Sequence, residues 1–154
     1  MTRIKFEEAN GVYSSMRKIE DYLNESSIDK RLLFLLKFRV SQINSCVYCL
    51  DMHSKEALAK GEDPLRLYSV SAWREAPYYT EKERAALRFA EELTLVSSSE
   101  FSESNFELLN QYFTKQEIGD LTLAIAQINS WNRIVRAFNP EPGKFKVKEE
   151  THSV

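Results

Sequence analysis

Apolar residues recur along this chain at spacings of three and four, the period of helices with one face turned inward. Between residues 8 and 24, Val12, Met16, Ile19 and Leu23 form such a stripe, with Arg17, Lys18, Glu20 and Asp21 as the polar face. Ser26 and Ser27 stop that segment and offer a cap for the next one. Its Leu32, Leu33, Leu35, Leu36, Phe38, Val40 and Ile43 are apolar over much of the circumference, which predicts a central helix. Asn44-Ser45 breaks the pattern and offers a second cap, so residues 46–60 read as a new helix, ended by Gly61 in the left-handed conformation. Asp63-Pro64 places a capping aspartate before a proline at the first helical position, opening a helix to about Trp73. Thr80 with Glu83, Ser104 with Glu107 and Thr114 with Glu117 each match a capping box. The first opens a helix buried through Ala86, Phe89, Ala90 and Leu93, and the second a short one through Leu108, Leu109 and Tyr112. The third opens the longest, through Ile118, Leu121, Ile125, Ile128 and Val135 to about Phe138; roughly 24 residues would span about 36 Å. The nearest thing to a strand is FKVK at 145–148, too short to found a sheet.

The result is an all-α domain of about seven helices over residues 1–138, followed by a C-terminal tail, 139–154, either mobile or laid over a neighbouring subunit. Composition agrees, since four glycines and four prolines in 154 residues are too few for the tight turns of a β-sandwich or a Gly-rich phosphate-binding loop. With 21 basic against 23 acidic residues there is no global positive field to collect phosphates, so a nucleic-acid partner is not expected. No apolar run reaches signal-peptide or membrane-spanning length, and the reading is a cytoplasmic protein without a membrane partner. Two cysteines three apart do not make the disulfide framework of a secreted miniprotein.

One segment carries residues that packing alone does not call for: Cys46-Val47-Tyr48-Cys49-Leu50-Asp51-Met52-His53. On a helix the two cysteines share a face, near enough to close a disulfide with modest adjustment, and His53 lies four beyond Cys49 on that face. A thiolate is the reactive form of cysteine, and a helix N-terminus or an adjacent imidazole lowers its pKa. Attack on a peroxide O–O bond leaves a sulfenic acid, which a second thiol condenses with to give a disulfide. Two influences compete over which thiol attacks: the helix dipole favours Cys46, and contact with His53 favours Cys49.

The segments VSQINSCVYCLDMHSKEALAKGE, LYSVSAWREAPYYTEKERAAL and DLTLAIAQINSWNRI resemble the alkylhydroperoxidase AhpD-like group of the carboxymuconolactone decarboxylase family, from about residue 28 to 138. CxYCxxxH at the head of a helix is the specific element. The resemblance implies an AhpD-like helical bundle, a homotrimer or homohexamer, and thiol-dependent peroxidase or disulfide-reductase activity. The substrate it implies is a hydroperoxide, with an external thiol or protein reductant and no cofactor. It assigns Cys49 as the peroxidatic cysteine, Cys46 as the resolving one and His53 to the relay that activates Cys49. The best-studied pattern has a glutamate twelve residues before the first cysteine, where this chain has Phe34, and a histidine where it has Tyr48. Phenylalanine relays no proton, whereas the Tyr48 hydroxyl can still donate to a peroxide oxygen. Glu75, in the segment SAWREAP, is the expected replacement partner for His53.

The same residues admit other readings. The cysteines could be small buried hydrophobes, and His53 a satisfied core histidine. Cys46, Cys49 and His53 could hold zinc if His152 of a neighbouring tail supplied a fourth ligand. The dithiol could serve a protein disulfide reductase or redox adaptor, or a non-enzymatic redox-sensing oligomer; lactone decarboxylation ranks last, because CxYCxxxH marks the redox branch. Trp73, Trp131 and Phe138 read as packing, and Asn129 and Asn132 as interhelix hydrogen-bonding residues. Helices 30–43 and 114–138 carry apolar residues on two faces, and the second face is expected to meet another copy of the chain.

Overall fold

In the computed structural model, which describes residues 1–147, helices follow one another nearly as the capping signals predict. They are α1 (Asn10–Asn24), α2 (Lys30–Ile43), α3 (Val47–Ala59), α4 (Pro64–Ser69), α5 (Glu81–Thr94), α6 (Glu103–Tyr112) and α7 (Lys115–Phe138), with 3-10 turns at Phe6–Ala9 and Val70–Ala72. Among the described residues there is no strand, and 145–147 run irregularly. Thr80 and Thr114 each accept a hydrogen bond from the N–H of the glutamate three residues on, and Glu83 and Glu117 accept in return from the cap's own N–H. Asp63 accepts from the Leu65 N–H ahead of Pro64, and Gly61 takes φ +84° behind α3.

The caps of α2 and α6 differ from expectation. Asp29, not Ser26 or Ser27, caps α2, accepting from the N–H groups of Arg31 and Leu32. Ser26 is engaged at the end of α1, where its hydroxyl donates to the Leu23 carbonyl. Likewise α6 is capped by Ser102 accepting from the Asn105 N–H, two residues ahead of the Ser104 box. The stripe on α1 also fades toward its start: Leu23 is buried, but Val12 is exposed, because the first turn of α1 meets an aromatic group of Phe6, Tyr13, Trp131 and Phe138 instead.

The core is built around α2. Leu32, Leu33, Leu35, Leu36 and Val40 are buried, and α3, α5 and α7 pack around them, so both apolar faces of α2 are covered within one chain. The outward stripe of α7, Gly119, Thr122, Ala126, Ser130 and Arg133, is small and polar, not the apolar face expected against a second copy. The small Ala86 and Ala90 of α5 let it approach closely, and Glu91 of the same helix accepts from Arg39 of α2, from Arg74 and from the Trp73 indole. Burial disfavours the Glu91 charge, but these three donors outweigh it and hold the carboxyl below its ordinary range. Residues 139–147 fold back onto their own α3: the Gly143 N–H donates to Asp51 and Lys55 donates to the Phe145 carbonyl.

The reassigned cap is directly measurable. Asp29→Ala lowers the urea-unfolding free energy by about 1 kcal/mol, while Ser27→Ala changes it by less than about 0.5 kcal/mol; the reverse order would return the cap to the serine.

Candidate functional site

The cysteine helix is positioned by a turn whose Asn44 side chain is tied to α7. Ser45 adopts φ +52°, a left-handed conformation that costs a non-glycine residue energy, and the Cys46 N–H donates back to the Ser41 carbonyl at 3.0 Å. Asn44, expected to cap the cysteine helix, instead donates to Asn129 and Asn132 of α7 at 2.9 and 2.8 Å. Asn132 in turn donates to Ser41, and Asn129 to Thr94. The interhelix role expected of Asn129 and Asn132 is therefore present, and its object is the turn before Cys46. Cys46 itself becomes the N-cap of α3, with no side chain bonded to the first N–H groups, whose partial positive charge favours a thiolate there.

The Cys46 and Cys49 sulfurs lie at disulfide distance, with Cα atoms 5.4 Å apart. They pack against Val135 of α7, with Phe6 and the half-buried Tyr48 at the edge. Their exposures differ in kind. Cys46 is 7% exposed and lines a cleft of about 470 Å³ walled by the Asn44–Tyr48 segment, the end of α7 and Pro140 and Pro142. Cys49 is 1% exposed and does not line it. Burial, then the neighbouring Tyr13 and Asp51, push the Tyr48 hydroxyl above its ordinary pKa, so it is a proton donor in the neutral form.

His53 is buried one turn below Cys49. Its Nδ1–H donates to Glu56 Oε2 at 2.8 Å, which leaves Nε2 as the unprotonated nitrogen, buried and without a partner. Glu75, the expected partner, is exposed in the turn that follows Val70–Ala72; the carboxylate on the imidazole is Glu56. Behind the imidazole lies an ion pair that the helical pattern did not disclose: Lys37 of α2, buried, with Glu20 of α1. The helical pattern puts Glu20 on the polar face of α1, yet in the fold it meets Lys37. Burial opposes its ionisation, and the charge and hydrogen bond of Lys37 outweigh that and hold the carboxyl below its usual range. Burial is also the largest influence on His53 and pushes its pKa down; Glu56 resists through its hydrogen bond, and the charge of Lys37 pushes further down. Phe34 packs on the core one turn before Lys37, whose ammonium lies 5.8 Å from the ring centre. A lysine within RLLFLLKFRV and a glutamate three after His53 were the signals available in the sequence for these residues.

Among the described residues no group of three His, Cys, Asp or Glu side chains is placed to hold a metal ion, and His152 lies outside them. Nor is any helix among them long and apolar enough to cross a membrane.

Residues 9–92, over half of the chain, match the model of the carboxymuconolactone decarboxylase family. The uncharacterized protein YdfG of Bacillus subtilis is 40% identical over 119 residues, covering 77% of this chain and 81% of its own. A crystal structure from Agrobacterium tumefaciens, described as a protein of unknown function and putative antioxidant defence protein AhpD, superposes with a TM-score of 0.88 at 35% identity. That match covers 94% of this chain and all of the other. The debrominase Bmp8 shares the fold, with a TM-score of 0.80 at 18% identity over 90% of this chain and 75% of its own.

The depressed pKa of His53 has a consequence for stability. The folded state binds fewer protons at this ring than the unfolded chain does, so stability falls as pH drops below the ordinary histidine value of about 6.5. His53→Gln removes that contribution, and its unfolding free energy depends less steeply on pH between about 6.5 and 5 than the wild type's. Parallel curves would mean that the imidazole is not held neutral by the fold.

Proposed function

The chain belongs to the carboxymuconolactone decarboxylase family, and from that premise we propose that it is an AhpD-like thiol peroxidase, reducing hydrogen peroxide or an organic hydroperoxide through a Cys46–Cys49 dithiol/disulfide cycle. The observation that carries the reading is the lone, buried Nε2 of His53, one turn from Cys49, with Nδ1 fixed by Glu56.

In the reduced protein Nε2 takes the Cys49 proton, and Glu56 steadies the imidazolium that results. The Cys49 thiolate attacks the outer oxygen of the hydroperoxide, the O–O bond breaks, and the departing alkoxide recovers the proton from His53. Cys49 is left as a sulfenic acid. The Cys46 thiolate, favoured by the uncapped start of α3, attacks that sulfur; the S–S bond forms and hydroxide leaves, to be protonated to water. Two electrons have passed from the sulfurs to the peroxide, and an external thiol donor returns them. The glutamate missing at Phe34 has its counterpart in Glu56, supplied from the cysteine helix itself. Cys46, Cys49, His53 and Glu56 all belong to α3 or its cap, so the cycle needs no side chain from a second copy. Because Cys46 is the sulfur that faces the cleft, a second reading has Cys46 attack a protein disulfide first.

Thiol counting by mass after one equivalent of hydroperoxide separates the two. Wild type loses two thiols to an intramolecular disulfide, Cys46→Ser stops at a sulfenic acid, and Cys49→Ser reacts only slowly. His53→Gln slows the first step by about 10²-fold or more. A Cys49→Ser protein that consumes peroxide at the wild-type rate would move the attack to Cys46, and a wild type that consumes none would leave the disulfide-reductase reading.

A further inference from the structure

The cleft beside Cys46 is one-sided in charge. Its lining residues include two arginines, Arg3 and Arg136, and no Asp or Glu. Arg3 Nη1 donates to the Arg136 carbonyl at 3.0 Å, which seats Arg3 on the last turn of α7, and Arg136 itself is exposed. Neither is paired with a carboxylate among the described residues. Two acidic groups on the side of Pro140 and Pro142 have cationic partners of their own: Asp51 pairs with Lys55 at 2.6 Å and accepts from the Gly143 N–H, and Glu141 pairs with Lys144 at 2.7 Å. Two cations without an ion-pair partner among the described residues therefore stand at an opening that reaches Cys46, in a chain whose formal net charge is −2.

From this geometry we propose that the cleft is the binding site of the electron donor, and that the donor is a small thiol bearing a carboxylate, held by Arg136 and Arg3 while its sulfur reaches Cys46. The proposal rests on the dithiol cycle above and names its reductant class. The donor's thiolate attacks Cys46 Sγ, the sulfur that lines the cleft; the S–S bond breaks and the electron pair leaves on Cys49 as thiolate. A second donor thiolate attacks the donor's own sulfur in that mixed disulfide, forming the donor disulfide and returning Cys46 as thiolate. Two thiols have been oxidised and one protein disulfide reduced. The carboxylate takes no part in the bonds exchanged, so the arginines act on specificity through binding and orientation.

The test uses three thiols of similar size and different charge: 3-mercaptopropionate, 2-mercaptoethanol and cysteamine. Each reduces full-length protein previously converted to the disulfide with diamide, and rates are expressed per thiolate. At low salt 3-mercaptopropionate is faster than 2-mercaptoethanol by a factor of roughly five, with cysteamine slowest, and the ratio collapses at high salt. Arg136→Gln lowers the anion-to-neutral ratio toward one, and Arg136→Lys restores part of it; Arg3→Gln acts in the same direction, and circular dichroism of each variant checks that α7 is intact. Equal rates for the three thiols, a preference for cysteamine, or an anion preference that survives Arg136→Gln with the fold intact would overturn the proposal. Peroxide is absent from the assay, so a protein that keeps the thiol preference yet fails to reduce hydroperoxides refutes the proposed function and not this site.

Discussion

An imidazole shut away from water is held neutral by the cost of burying its charge, and the arrangement around α3 depends on that constraint at His53. Neutrality leaves one nitrogen with a lone pair, and the hydrogen bond from Nδ1 to Glu56 decides that it is Nε2. Burial alone would make His53 a poor recipient of a proton. Glu56 moderates this by supplying a negative partner for the protonated form, while the Lys37–Glu20 pair adds a cation and an anion whose effects on the ring oppose one another. The outcome is a base that is available at neutral pH and able to accept charge briefly.

Such a base is useful only if a thiol stays in register with it, and here the rest of the fold enters. His53 and Cys49 share one helix, so their spacing is set by helical geometry and needs no tertiary adjustment. Cys46 stands outside the regular helix. Its place is fixed by the left-handed Ser45 and by the Asn44–Asn129–Asn132–Ser41 hydrogen bonds, which anchor the turn to α7. These amides are satisfied by one another across two elements, which makes the turn costly to deform. The asymmetry of the two sulfurs follows, with Cys49 buried one turn from the base and Cys46 lining the cleft.

Much of this was legible in the sequence, because the features concerned are local. Capping boxes at Thr80 and Thr114, the Asp63-Pro64 start and the Gly61 stop each depend on residues within one turn, and each appears in the structure. CxYCxxxH likewise encodes a spacing along one helix. What escaped were pairings between elements. Glu20 reads as solvent-facing on α1 until Lys37 of α2 is known to meet it, and Glu75 sits near Pro77 in a segment whose direction the sequence does not give. For α2 the difficulty is related: apolar residues around a whole helix mark it as central, whether its neighbours come from the same chain or another, and here α3, α5 and α7 cover it.

The state of one nitrogen carries the account. Nitrogen-15 NMR of the reduced protein distinguishes the two neutral tautomers and the imidazolium, and the chain has only two histidines, so His53→Gln assigns the ring directly. The account predicts that at neutral pH His53 carries its proton on Nδ1 and that Nε2 is bare. An imidazolium, or a proton resident on Nε2, would contradict it, because neither form can take the proton from Cys49.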